Sequence, residues 1–99
     1  GGHVGNVGLV VAELNPAQKK ALGIDYGLLV QAVHGSAARS GIAQGDVIIG
    51  VNSQNLTSYA QFAKMLEEAK AGSSLNLRVR RGDNYIFIPL KIGKSNADE

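Results

Sequence analysis

The sequence predicts an α+β fold that is mainly β, a partly open barrel or sandwich of five to six strands. One main helix and one or two short helices cap it. Three observations carry this prediction. Apolar runs of strand length recur along the 99 residues, one stretch has the periodicity of an amphipathic helix, and 13 glycines against 2 prolines supply the turns. No internal repeat is visible, so this length indicates one domain with a single core.

The first predicted elements are a strand and a short helix. Residues 7–14 are apolar and rich in β-branched side chains, which favours a strand buried on both faces. Asn15 followed by Pro16 is a helix start signal, because Asn caps the first turn and Pro suits the first helical position. The helix continues over 17–22, and Gly23 ends it.

The middle of the chain predicts two more buried strands separated by turns. Residues 27–33 form the second strand, and Ser36 is placed to cap a single helical turn at 37–40. Residues 46–51 form the third strand. The polar residues 52–55 then predict a turn in which side chains bond their own backbone.

The last third predicts the main helix and a β-hairpin. Thr57 or Ser58 can cap the helix. Its apolar positions have the spacing of one buried stripe and are Tyr59, Phe62, Ala63, Leu66 and Ala69. Residues 75–80 alternate between apolar and polar, a turn follows at 82–84, and 85–92 returns as the second hairpin strand.

The ends of the sequence lack such patterns. Residues 1–6 are interpreted as a flexible lead or a cloning remnant, residues 7–92 as the domain, and residues 93–99 as a polar tail. No signal peptide begins the chain and no apolar run approaches the roughly 18 to 20 residues that cross a bilayer. We therefore expect a soluble fragment or a mature domain.

Composition argues against several classes of function. The net charge of +2 is small, and with five aromatic residues that do not alternate with the basic ones we expect no nucleic-acid partner. There is no cysteine, and the two histidines lack the spacing of a zinc site. His34 is interpreted as a surface loop residue, and no G-x-S-x-G elbow is present. We expect no metal, no cofactor and no catalytic residue, so that this chain alone is not an enzyme.

A run of glycines and aliphatic residues between 27 and 52 closely resembles bacterial PDZ domains. The positions that match the common pattern of that family are Gly27, Val30, Val33, Gly35, Ser36, Ala38, Gly41, Ile42, Gly45, Asp46, Val47, Ile48, Val51 and Asn52. The chain departs from the pattern at Ala37, where Pro is usual, and at Ser53, where Gly is usual. The resemblance covers about 7–92.

The order of elements narrows the resemblance. The loop that would bind a carboxylate precedes the first strand and the closing strand comes last, which is the permuted arrangement of bacterial members. With its extra segment 14–22, the chain resembles the C-terminal, second PDZ domain of HtrA/Do (Deg) periplasmic serine proteases.

The resemblance implies a groove that binds the free C-terminus of another polypeptide. Backbone N–H groups of a tight turn would hold the carboxylate, while the ligand adds as an antiparallel strand. The carboxylate loop would comprise Asn6, Val7, Gly8 and Leu9. The pairing strand would comprise Leu9, Val10, Val11, Ala12 and Glu13. The apolar pocket and groove helix would comprise Val7, Leu9, Val11, Tyr59, Phe62, Ala63 and Leu66.

The function that follows from the resemblance is a peptide-binding module of an envelope quality-control protease in the periplasm. Its partners would be unfolded or partner polypeptides with hydrophobic C-termini, and other domains and subunits of the parent protease. Asn6 stands where the family often has a basic residue, which favours a second hypothesis, an assembly or regulatory domain that binds little peptide. A PDZ domain of another bacterial protease or of a secretion component is the third.

Overall fold

The computed structural model describes residues 2–4 and 7–93. The described chain contains seven strands and three helices. In chain order they are β1 (Gly2–Val4), β2 (Leu9–Glu13), α1 (Pro16–Leu22), β3 (Leu28–Val33), α2 (Gly35–Arg39), β4 (Val47–Val51), β5 (Gln54–Asn55), α3 (Tyr59–Glu68), β6 (Ser74–Arg81) and β7 (Asn84–Lys91).

The strands form one antiparallel sheet in the order β1-β2-β3-β4-β6-β7, with β5 paired to β4. The mainly β class and the main helix are confirmed. The sheet has two short strands more than the five obvious apolar runs, β5 in the polar turn and β1 near the N-terminus. β1 falls within the six residues interpreted as a flexible lead, because glycine-rich sequence gives no strand signal that single-chain reasoning can use.

One hydrophobic core lies between the sheet and α3. Leu9, Val11, Leu28, Ile48 and Phe62 are among its largest side chains, and each is 0% exposed. Alternation along the strands puts these residues on one face. Each such side chain contributes roughly 1.5 to 3 kcal/mol to folding by leaving water.

Two helices begin as the sequence predicts. In α1 the Asn15 side chain accepts from Gln18 N at 2.8 Å and the Gln18 side chain accepts from Asn15 N at 2.9 Å, a complete capping box. Of the two candidate caps for α3 the structure uses Ser58, whose Oγ accepts from Gln61 N at 3.0 Å.

No helix among the described residues has the length and apolarity to span a membrane.

The prediction that Ser36 caps the next helical turn is wrong. α2 begins at Gly35 with His34 as its N-cap, and the His34 side chain makes no capping bond. The Ser36 hydroxyl instead donates to the Lys91 carbonyl at the end of β7. A long-range partner has replaced the local one, so α2 is fastened to the last strand.

Asp46 is a carboxylate within the folded interior, with its side chain 2% exposed. Arg81 holds it in a bidentate pair, with Nε to Oδ1 at 2.8 Å and Nη2 to Oδ2 at 2.7 Å. Asp46 Oδ2 also accepts from Ala43 N at 2.9 Å. The turn before β4 is thereby fixed to the end of β6.

Candidate functional site

The loop at Val7 and Gly8 is held from one side by the segment 34–37. Ala37 N donates to the Val7 carbonyl and His34 N donates to the Gly8 carbonyl, each at 2.8 Å. In a trans peptide the C=O and the following N–H point in opposite directions. The N–H groups of Gly8 and Leu9 therefore both point away from 34–37, which is the convergence that an anion-binding turn requires.

The register of β2 shows which edge of the strand these N–H groups serve. Leu14 N donates to the Gly27 carbonyl at 3.2 Å, on the β3 side. Because backbone groups alternate along a strand, Val10 and Ala12 also bond toward β3. Leu9 and Val11 direct theirs to the opposite edge, which is the one predicted to receive a peptide.

Gly8 is required by the scaffold of this loop. Its φ is +81°, and a Cβ built there would lie 2.1 Å from the His34 carbonyl oxygen and 2.7 Å from its carbon. From the sequence, this glycine is expected because of the turn and because a ligand carboxylate needs space there. In the structure the atoms closest to such a Cβ belong to His34, a residue whose sequence context predicts only a surface loop position.

The predicted pocket residues come together beneath β2. Val7, Leu9, Val11, Phe62 and Leu66 all belong to the core cluster and are at most 1% exposed. Ala63 is partly buried, and Tyr59 is also partly buried and packs against the same cluster. Of the predicted pocket residues, Ala63 and Tyr59 are therefore the ones that present side-chain surface to solvent, and a side chain that entered more deeply would require the core residues to separate.

Glu13 fastens the far end of β2 to α3. Its Oε2 accepts from the Tyr26 hydroxyl at 2.6 Å and from Tyr59 N, the first residue of the helix, at 3.2 Å. The bond from Tyr26 is the main cause that lowers the pKa of Glu13, and the bond from Tyr59 N adds to it. Burial and the bond to Glu13 raise the pKa of the Tyr26 hydroxyl.

This cluster was missed by sequence reasoning, which assigned Glu13 only to strand pairing. Tyr26 lies 13 positions away and Tyr59 lies 46 positions away, so no local spacing signals the contact. The structural role of Glu13 is to set how far the helix stands from the strand at one end of the groove.

One feature of the site departs from a simple open groove. β1 pairs with the outer edge of β2, with Val4 opposite Leu9 and Gly2 opposite Val11. Asn6, the first predicted loop residue, lies outside the described residues. The role of the remaining predicted residues in ligand binding stays a prediction.

Two surface cavities among the described residues lie elsewhere. One of about 560 Å³ is bordered by Tyr26, Leu56 and Arg78 among others, and one of about 350 Å³ is bordered by Leu14 and Arg80 among others. Neither includes a residue of the predicted groove. Strand addition needs a free edge rather than an enclosed cavity, so these cavities do not mark the predicted site.

Comparison with known sequences agrees with the resemblance. The sequence model of the family described as PDZ domain matches residues 29–81. The chain is 40% identical over 87 residues to a probable periplasmic serine endoprotease DegP-like of Marinomonas sp. (strain MWYL1), covering 87% of this chain and 19% of that protein. It is 38% identical over 89 residues to the protein of the same description from Ectopseudomonas mendocina (strain ymp), covering 89% and 19%. The chain spans about a fifth of the length of these curated relatives.

Solved structures with a similar fold include two that contain peptides. The HtrA3 PDZ domain bound to a phage-derived ligand, FGRWV, has a TM-score of 0.74 at 25% identity, covering 86% of this chain and 81% of that one. The HtrA-type protease AlgW with decapeptide has a TM-score of 0.75 at 25% identity, covering 88% and 28%. The family match agrees with the prediction that this chain alone is a non-catalytic domain. Since the matched region exceeds half of its length, the chain belongs to the PDZ domain family.

Proposed function

We propose that the chain binds the free C-terminus of a polypeptide along the outer edge of β2. The ligand carboxylate accepts from the N–H groups of Gly8 and Leu9, and the ligand backbone pairs antiparallel with Leu9 and Val11. The observation that carries the proposal is the orientation of the loop. His34 N and Ala37 N donate to the carbonyls of Gly8 and Val7, which point inward. The N–H groups of Gly8 and Leu9 therefore point toward the outer edge of β2.

The terminal side chain of the ligand enters between β2 and α3. Its surroundings are aliphatic and aromatic, since Leu9, Phe62 and Leu66 form the floor. An apolar terminal residue such as Val, Leu, Ile or Phe gains roughly 1.5 to 3 kcal/mol from burial. Each ordered ligand residue costs about 1 to 2 kcal/mol of backbone entropy. The resulting affinity is on the order of micromolar or weaker.

Tyr59 influences selectivity two residues before the ligand C-terminus. It stands at the start of α3, where its backbone N–H is bonded to Glu13 and its ring is partly buried. The aromatic ring at this position offers apolar surface, which favours an apolar or aromatic ligand side chain.

The relatives support a place for this domain in a longer protein. Those matched are described as probable periplasmic serine endoproteases, and the HtrA-type neighbours contain peptides. In such a parent the domain delivers unfolded or mislocalised polypeptides, by their hydrophobic C-termini, to a separate trypsin-like domain in the periplasm. This context favours an HtrA/Do parent over another bacterial protease or a secretion component.

The proposed function is tested with the peptide FGRWV as free acid and as C-terminal amide. The chain contains no Trp, so the peptide Trp reports binding without interference from protein Trp. We expect the free acid to bind and the amide to bind at least about tenfold more weakly, because the amide loses a charge-assisted bond to the loop. Equal binding of the two peptides refutes carboxylate recognition. FGRWD as free acid is the matched control for the apolar pocket and is expected to bind weakly.

One observation favours assembly as a second function. Tyr85 and Phe87 on β7 are large apolar side chains with 55% and 62% of their surface exposed. Exposed aromatic residues are common at protein interfaces. If this face contacts another subunit, Phe87→Ser in the parent protein will lower its oligomeric mass by light scattering without changing the affinity for FGRWV. An unchanged mass rules out this face as an assembly contact.

A further inference from the structure

β1 occupies the edge of β2 that the proposed function assigns to the peptide. It is antiparallel to β2, with Val4 opposite Leu9, His3 opposite Val10 and Gly2 opposite Val11. A peptide whose carboxylate lies at Leu9 N–H runs the same way, with its last residue at the loop and its earlier residues toward the end of β2. β1 therefore has both the position and the direction of the ligand.

The two occupants would use the same backbone atoms. Leu9 and Val11 direct their N–H and C=O groups to this edge, and in an antiparallel ladder such residues exchange both bonds with the residues opposite. Leu9 is therefore paired with Val4 and Val11 with Gly2. The Leu9 N–H cannot donate to a carbonyl of β1 and fully to a ligand carboxylate at the same time. Pairing with β1 and capture of a C-terminus exclude each other.

We infer that Gly2–Val4 is an internal pseudo-ligand that holds the peptide edge closed until a C-terminus displaces it. The inference rests on the proposed function, because it concerns regulation of the same site. Only four residues separate Val4 from Leu9 in the sequence, so β1 competes at the high effective concentration of a short tether.

The competition is weak enough to be overcome by a ligand. β1 has three residues, fewer than the five or six of a typical strand, and it lies at the edge of the sheet. Because only molecules whose edge is free can bind the peptide, the apparent affinity is the intrinsic affinity multiplied by the fraction of such molecules. Removing β1 from the edge is expected to tighten peptide binding about three- to tenfold.

Two proline variants form the matched pair for the test. At Val4 the residue faces Leu9 in a hydrogen-bonded position, so Val4→Pro removes a donor to β2. At His3 the N–H points away from β2, where an edge strand tolerates proline, so His3→Pro leaves the ladder intact. With FGRWV as free acid, Val4→Pro is expected to tighten binding about three- to tenfold, and His3→Pro to leave it within about twofold of the unmodified chain.

Amide hydrogen exchange without peptide provides a readout that is independent of binding. In the unmodified chain the amides of Leu9 and Val11 should be protected, and Val4→Pro should remove that protection. Val10 and Ala12 bond toward β3, so they should stay protected in both proteins, which also shows that the variant is folded.

The outcomes separate the two proposals. If FGRWV binds both variants and the unmodified chain equally, the pseudo-ligand is overturned and the proposed function stands. If Val4→Pro is folded and does not bind FGRWV, the proposed function fails and the inhibitory role fails with it. If the amide hydrogens of Leu9 and Val11 exchange rapidly in the unmodified chain, β1 does not occupy the edge of β2. This result overturns the inference whether or not FGRWV binds.

Discussion

The two edges of the sheet are closed in different ways. At one edge β7 pairs with β6 along its full length, from Lys91 opposite Ser74 to Asn84 opposite Arg81. At the other edge β1 pairs with β2 through Gly2–Val4 alone. The first pairing joins two eight-residue strands through a tight turn, and the second adds a strand of only three residues.

The outer side of β7 is blocked against a further strand at two of its positions, Pro89 and Lys91. Lys91 N donates to Ser40 Oγ at 3.1 Å, and the Lys91 carbonyl accepts from Ser36. Pro89 has the same outward orientation by alternation and has no N–H to offer. Devices of this kind prevent unwanted strand addition. β2 lacks a proline and directs complete peptide groups of Leu9 and Val11 toward β1. The absence of such devices from this strand is what the proposed peptide site requires.

The largest effect is expected from Gly8→Ala, which tests whether the loop beside β2 depends on its fixed position against His34. The new Cβ would meet the His34 carbonyl oxygen at 2.1 Å in a left-handed conformation. The free energy of unfolding should fall by about 3 kcal/mol, measured by urea denaturation. Binding of FGRWV should be lost as well.

Gly82→Ala at the turn between β6 and β7 is the matched control for that change. Its φ is +60° and nothing lies within 4 Å of a Cβ built there. The left-handed conformation alone should cost about 1 kcal/mol, and peptide affinity should not change. Equal losses of stability for the two variants would contradict the role assigned to His34.

An intermediate effect is expected from Arg81→Met at the end of β6. Asp46 would keep the bond from Ala43 N and lose both bonds from the guanidinium. Breaking a buried pair typically costs 3 to 5 kcal/mol, but the Arg81 side chain is 46% exposed, so we expect a loss of about 2 kcal/mol.

Peptide affinity should be unchanged in folded Arg81→Met, because this pair lies away from the edge of β2. The control is Asp83→Asn, which removes an exposed pair with Arg80 at 3.8 Å and should change the free energy of unfolding by less than about 0.5 kcal/mol. A large loss of peptide affinity in Arg81→Met would show that the two edges are coupled.

The smallest effect is expected from the pH dependence of the Glu13 cluster. The pKa of Glu13 is lowered from 4.5, so the stability it contributes is present above pH 4.5 and is lost as the pH falls through the lowered value. The pKa of Tyr26 is raised from 10.0, so its contribution is present below pH 10.0 and is lost as the pH rises through the raised value.

Thermal unfolding across pH measures both limits. Glu13→Gln should make the thermal unfolding midpoint depend less steeply on pH in the acid range. Tyr26→Phe should do the same in the alkaline range. Glu67→Gln removes an exposed carboxylate of α3 and serves as the control for net charge. If the unfolding midpoint of Glu13→Gln depends on acid pH as steeply as that of the unmodified chain, the bond to Tyr26 does not determine the pKa of Glu13.

Much of the fold could be predicted from local sequence. Asn15 with Pro16 and Gln18 specify α1, and the apolar stripe that includes Phe62 and Leu66 specifies the buried face of α3. These signals are local, because caps and helical periodicity depend on residues within a few positions of each other.

The parts that could not be predicted depend on distant partners. Ser36 was expected to cap α2 but bonds to Lys91, which lies 55 positions away. His34 contributes through its backbone N–H, which donates to the Gly8 carbonyl. Any residue type other than proline could make this bond, so the sequence does not signal it. β1 has no periodicity in its sequence, and it is recognised only by its pairing with β2.

We propose that ligands add to the edge of β2 and not to that of β7. Amide chemical-shift mapping by NMR, with FGRWV free acid added to the uniformly labelled chain, tests it most directly. We predict the largest changes at Gly8, Leu9 and Val11 and no significant change at Phe87. Changes concentrated around Phe87, with Leu9 and Val11 unmoved, would contradict the claim.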